Sequence, residues 1–215
     1  MNKPLHMRGH LLKQLNSDLS PAIDTCLLWW NHELSTLKMP RTIPLKMRQV
    51  FSFSDGEGKG CVAVGVWSDA EVFSSRCLAP DFAPPLWSSE DDPPPVSHIN
   101  AIEALGPLLI LSTFPDILHH CLWVHFIDNA TALSCIVNGS GSGEHIGHTM
   151  SSICAHFWRL AASAHVFPWL EFVPSEYNII DGFSRGQAFD RDPFHRVVHF
   201  RPPRLPSGWP IARTL

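Results

Sequence analysis

CLWVHFID, residues 121–128, constrains the fold more than any other stretch of the chain. It is a near-continuous apolar run of strand length closed by an acid, which predicts a central strand covered on both faces. Such a strand needs helices packed against its sheet, so the run places the chain in the α/β class. Upstream, the period changes at Gln49: VFSFSD alternates, with Phe51, Phe53 and Asp55 on one face, as a strand does. GEGKG is a glycine turn, CVAVGVW reads as an antiparallel return, and EVFSSRCL as a third strand. The proline-rich acidic stretch APDFAPPLWSSEDDPPPVS is expected to be an irregular excursion.

Beyond it, residues 98–114 read as a helix and ATALSCIV as a short helix stopped by NGSGSG. Residues 144–165 form a longer amphipathic helix, with Ile146, Met150, Ile153, Phe157 and Leu160 at helical spacing. WLEFVP is a fifth strand and YNIIDGFSRG a last helical turn. The expected fold is a mixed five-stranded sheet, three antiparallel strands followed by two parallel ones, flanked by helices.

The flanks differ in character. Residues 1–48 read as two helices, on Leu11, Leu12, Leu15 and Leu19 and then Ile23, Leu27, Leu28 and Trp30. This extension is too loosely patterned to be a domain. The domain proper spans 49–186, and 187–215 is a basic, proline-rich tail. Net charge follows the same division: +4 in the first segment, −11 in the second and +3 in the third. From Cys77 to Trp158 there is no Lys or Arg, so the basic footprint of a polyanion binder is expected only on the flanks.

No apolar run approaches the ~18 residues of a membrane span, and the N-terminus has no apolar signal region. Six scattered cysteines with no CxxC pair read as reduced core residues, pointing to an intracellular setting, nuclear or cytoplasmic.

Four acids carry the chemistry. Asp55 and Asp128 close strands, Glu103 lies on the helix after the meander, and Asp181 lies in the last helical segment. Carboxylates at strand carboxyl ends converge at one sheet edge, and hard oxygen ligands are what Mg²⁺ requires. At these residues FSDGEGKG, INAIEAL, HFIDNATAL and VPSEYNIIDGFSRG, in that order, resemble the ribonuclease H-like domain of retrotransposon reverse transcriptases.

The resemblance covers about residues 49–186, with Val173, Pro174, Asn178, Asp181, Ser184 and Arg185 matching its most specific motif. It implies a two-metal endonuclease using Mg²⁺, with Mn²⁺ as a substitute, that cuts the RNA strand of an RNA–DNA hybrid. Asp55 would bridge both ions, Glu103 and Asp128 would complete one, and Asp181 the other. Asn129, Asn178, Ser184 and Arg185 would contact substrate or shape its site. The resemblance also implies a polymerase domain in cis or in trans as partner. No polymerase motif occurs within the chain, which reads as a fragment or a split-off module.

Three departures carry expectations of their own. Pro107 lies four residues after Glu103 and removes its carbonyl's helical partner, which predicts a kink or restart beside a ligand. The loop before Asp181 reads Pro174-Ser175-Glu176-Tyr177, without the histidine many related nucleases carry there. The acidic middle opposes docking of a polyanion. Together these define a second reading, a catalytically silent remnant acting as a structural or nucleic-acid-contacting module.

Glu144-His145-x-x-His148 and His119-His120 have loosely ligand-like spacing, but neither has a third ligand in sequence to close a zinc site. They read as surface or helix-cap residues. The arginines at 191, 196, 201, 204 and 213 are either phosphate contacts or a solvated tail.

Overall fold

A computed structural model describes residues 47–69, 71–79, 99–141, 146–204 and 206. The expected N-terminal helices, the proline-rich excursion, Arg213 and the side chains of Glu144, His145 and His148 lie outside these residues. Strands β1 (Arg48–Gly56), β2 (Cys61–Ser68) and β3 (Glu71–Leu78) form the antiparallel meander. Strand β4 (Cys121–Ile127) runs parallel to β1, and β5 (Phe167–Phe172) parallel to β4.

Among the described residues the sheet has six strands rather than five, in the order β5-β4-β1-β2-β3-β6. The sixth, β6 (Val198–Phe200), lies in the segment expected to be a tail and pairs parallel to β3. Three residues are too few to print a period on a sequence, and this strand is defined only by the edge it covers.

Helices α1 (Ile99–Thr113), α3 (Ala130–Asn138) and α4 (Ile146–Ser163) form the main layer, with α2 (Pro115–Leu118) leading into β4. Helix α1 packs on β1 and β2 and also on α3 and α4, so every residue from Ala101 to Leu111 is buried. That burial explains why the helix runs through Pro107 without the expected restart. A proline costs a helix about 3 kcal/mol, and packing on both sides of α1 offsets it. Gly106 permits the closeness: a Cβ there would lie 2.4 Å from both Cβ and Oγ of Ser54 on β1.

All three long helices occupy one face, so β4 alternates buried and half-buried instead of being covered twice. The other face is covered over β2 and β3 by Ile180, Phe183, Phe189 and Val198, packed around Trp67 and Val72. Described arginines of the C-terminal segment are largely spent within the fold. Arg196 pairs with Asp192, whose carboxylate also accepts from Trp67 Nε1, and Arg201 binds Asp116 while lying over the rings of Phe73 and Phe114. Among the described residues no helix is long and apolar enough to cross a membrane, and no disulfide forms.

His125 lies in the middle of β4. It is fully buried on β4, with Nδ1 2.8 Å from Ser52 Oγ and Nε2 3.1 Å from Ser54 Oγ, while Trp123 Nε1–H donates to Ser52 Oγ at 2.6 Å. Burial holds its imidazolium form down at about 3.

Two predictions follow from this packing. Gly106→Ala raises helix propensity, yet the Ser54 contact dominates, so urea unfolding detects a net loss of about 1–3 kcal/mol. An unfolded chain protonates His125 near pH 6.5 while the native one refuses the proton. That contribution is therefore whole above pH 6.5 and shrinks as the pH falls toward 3. The stability gap between the wild type and His125→Asn narrows between pH 7 and pH 4.5; a constant gap would contradict the assignment.

Candidate metal centre

Strands β1 and β4 lie side by side and parallel, and their onward connections leave in opposite directions, β1 to β2 and β4 toward β5. A crevice opens at the carboxyl ends of such a pair. The last paired residues are Ser54 and Ile127, so Asp55 and Asp128 stand one step further, side by side at the crevice. Helix α1 supplies the third acid. Its close approach rests on Gly56 as well as Gly106, since a Cβ at Gly56 would meet Glu103 N at 3.0 Å and Cδ at 3.1 Å.

The result is a compact cluster in which one carboxylate oxygen each from Asp55, Glu103 and Asp128 lies within 4.8 Å of the others. Asp55 and Glu103 are buried and Asp128 half-buried. Two oxygens, Glu103 Oε2 and Asp128 Oδ1, are buried without any hydrogen-bond partner. Buried acceptors without a donor are costly, and acids this close repel one another. Burial, reinforced by Asp128 and Asp55, pushes the Glu103 carboxyl up to about 9. Burial also pushes Asp55 up to about 6, against the pull of the Ser184 hydroxyl. A divalent cation removes both difficulties at once, and an all-oxygen donor set with two open acceptors fits Mg²⁺ or Mn²⁺.

Asp181 does not join this cluster. Its side chain is 31% exposed and accepts from Arg185 in an i,i+4 ion pair at 2.5 Å. Both belong to α5 (Asp181–Ser184) and its C-terminal cap. Surface pairs of this kind are worth about 0–1 kcal/mol, so either partner is easily withdrawn by a stronger ligand.

The residues expected near substrate divide three ways. Asn178 and Ser184 are buried and turned inward: Asn178 Nδ2 donates to Ser54 O at 2.9 Å and reaches Asp55 Oδ1 at 3.4 Å, and the Ser184 hydroxyl donates to Asp55 Oδ2. They orient the Asp55 carboxylate. Asn129 caps α3, accepting from Ala132 N at 2.9 Å, while its Nδ2 donates to Asn100 Oδ1 at 3.0 Å, so it shapes the end of β4. Arg185 alone remains at the open surface, 62% exposed.

Beside the acids runs an open groove of about 610 Å³ lined by Glu57, Lys59, Arg76, Ser184 and Arg185, with a smaller hollow over Asp55 and Gly58. Sequence reasoning located cationic charge on the flanks; Lys59 and Arg76 sit within the acidic segment yet line this groove. Arg76 is held by the Phe183 carbonyl at 3.0 Å and lies over the Phe183 ring. No linear motif marks it, because the groove is assembled from the β1–β2 turn, β3 and α5.

No protein-family model matches the chain, and no curated protein matches it.

The centre predicts a selective metal response. Mg²⁺ or Mn²⁺ raises the thermal midpoint, by about 2.7 kcal/mol of added stability at one hundred times the dissociation constant. Glu103→Gln and Asp128→Asn abolish that gain, whereas Asp181→Asn keeps most of it. Equal loss in all three variants would place Asp181 among the ligands.

Proposed function

We propose that the chain is a metal-dependent phosphodiesterase of the ribonuclease H type, cutting the RNA strand of RNA–DNA hybrids within retroelement reverse transcription. The observation that carries the reading is the pair of orphaned carboxylate oxygens, Glu103 Oε2 and Asp128 Oδ1, facing a third acid at the carboxyl ends of two parallel strands. The resemblance of FSDGEGKG, INAIEAL, HFIDNATAL and VPSEYNIIDGFSRG supplies the substrate class.

Divalent ions held there would lower the pKa of a water and stabilise the leaving oxygen of a phosphodiester. Asp55, Glu103 and Asp128 would hold the ion common to them. Ser184 and Asn178 keep Asp55 from turning away, and the Lys59, Arg76 and Arg185 side of the groove would lie against backbone phosphates. With Mg²⁺ bound, much of the local negative charge is offset, which relieves the conflict between an acidic domain and a polyanionic substrate. A polymerase domain, in cis or in trans, would deliver the hybrid.

The Asp181–Arg185 ion pair favours a second reading, in which the fold is kept without cleavage as a structural or nucleic-acid-contacting module. Cleavage of a labelled RNA–DNA hybrid in Mg²⁺ or Mn²⁺ separates the two. The nuclease loses at least about 100-fold in rate in Asp55→Asn and in Asp128→Asn, both folded by circular dichroism, consistent with the ~10²-fold or larger scale of removing a catalytic stabiliser. Folded wild type that leaves the hybrid intact, or cleavage that survives either substitution, overturns the reading.

A further inference from the structure

At the opposite end of β4 the structure gathers three histidines that the sequence keeps apart. His119 and His120 form the joint between α2 and β4, and His165 the joint between α4 and β5. Because Leu122 pairs with Phe167, the two joints lie side by side. Ring centroids are 4.1 Å apart for His119–His120, 4.9 Å for His120–His165 and 6.2 Å for His119–His165. Three imidazoles around one tetrahedral ion, with Zn–N near 2.1 Å, put their centroids roughly 5 Å apart. All three residues are exposed.

The backbone organises the group. The Ala164 carbonyl accepts from His120 N–H at 3.3 Å and from His119 Nδ1 at 3.1 Å, tying one joint to the other. A carbonyl only accepts, so Nδ1 of His119 carries the hydrogen and Nε2 keeps its lone pair. A ring N–H on a backbone carbonyl is the usual way a ligating imidazole is oriented. His120 and His165 both adopt left-handed backbone, with φ of 52° and 51°. Their rings lie parallel, 2° apart, and the three ligand nitrogens do not all lie within 4.8 Å of one another, so joint ligation requires exposed rings to turn about χ2.

We propose that His119, His120 and His165 form a binding site for a divalent transition ion of the zinc class, with water completing a tetrahedral shell. Nitrogen ligands select Zn²⁺, Ni²⁺ or Cu²⁺, whereas the carboxylates at the other end of β4 select Mg²⁺ or Mn²⁺. The two ends therefore differ in the metal they take. Bound there, the ion clips the start of β4 to the start of β5.

The test is calorimetric titration of the full chain with Zn²⁺ in excess Mg²⁺. Asparagine tolerates left-handed backbone, so His120→Asn and His165→Asn remove the ligand and keep the fold. The expected result is a 1:1 Zn²⁺ site weakened at least about 10-fold in both variants, the low end of what disturbing a metal shell costs. Asp55→Asn leaves that site unchanged. Zinc binding that is the same in wild type and His165→Asn, or that is lost in Asp55→Asn instead, overturns the proposal. Neither outcome depends on whether the acidic cluster is a nuclease.

Discussion

The contact on which the site depends is the approach of α1 to the end of β1. At Gly106 a Cβ would lie 2.4 Å from Ser54, closer than side chains allow, and at Gly56 it would lie a tight 3.0 Å from the backbone nitrogen of Glu103. A side chain at either glycine would push the helix outward and carry the Glu103 carboxylate away from Asp55 and Asp128. The same approach buries the helix from Ala101 to Leu111, which is how it stays helical across Pro107. Proline, glycine and glutamate in Glu103-Ala-Leu-Gly-Pro107 thus serve one arrangement: a tightly seated helix presenting an acid to a sheet edge.

That arrangement is electrostatically unfavourable by itself. Two ionised carboxylates at such separations repel by on the order of 3–4 kcal/mol even at an effective dielectric of 20. The protein answers locally, with the Ser184 hydroxyl and the Asn178 amide on Asp55 and a proton favoured on Glu103. It leaves two oxygens with no partner. Nearby, cationic side chains face the groove but do not enter the cluster. A cation within the cluster would relieve both the repulsion and the two unpartnered oxygens.

Much of this was legible in the chain. The apolar run CLWVHFID and the apolar stretch 98–114 report burial, which is what sets strands and helices, whereas the alternation of VFSFSD marks the strand but not its buried face, since Ser52 and Ser54 are buried and Phe51 is 41% exposed. Acids at the ends of two such strands then pointed to one edge, and Asp55, Glu103 and Asp128 do meet there. What escaped was set by tertiary contact. β6 takes its definition from the edge of β3, and the half-buried second face of β4 depends on where all three long helices pack. The inward turn of Asn178 and Ser184, the ion pair of Asp181 with Arg185, and the meeting of His165 with His119 and His120 involve partners distant in sequence or rotamers set by packing. His125 looks like any strand histidine until Ser52 and Ser54 close around it.

The central claim is that Asp55, Glu103 and Asp128 surround a hard divalent cation. Anomalous diffraction from crystals of the chain grown with Mn²⁺ tests it directly. The account predicts a manganese peak within coordination distance, about 2.0–2.3 Å, of an oxygen from each of the three acids. A peak elsewhere, or a cluster that stays metal-free at saturating Mn²⁺ with Glu103 protonated, would contradict it.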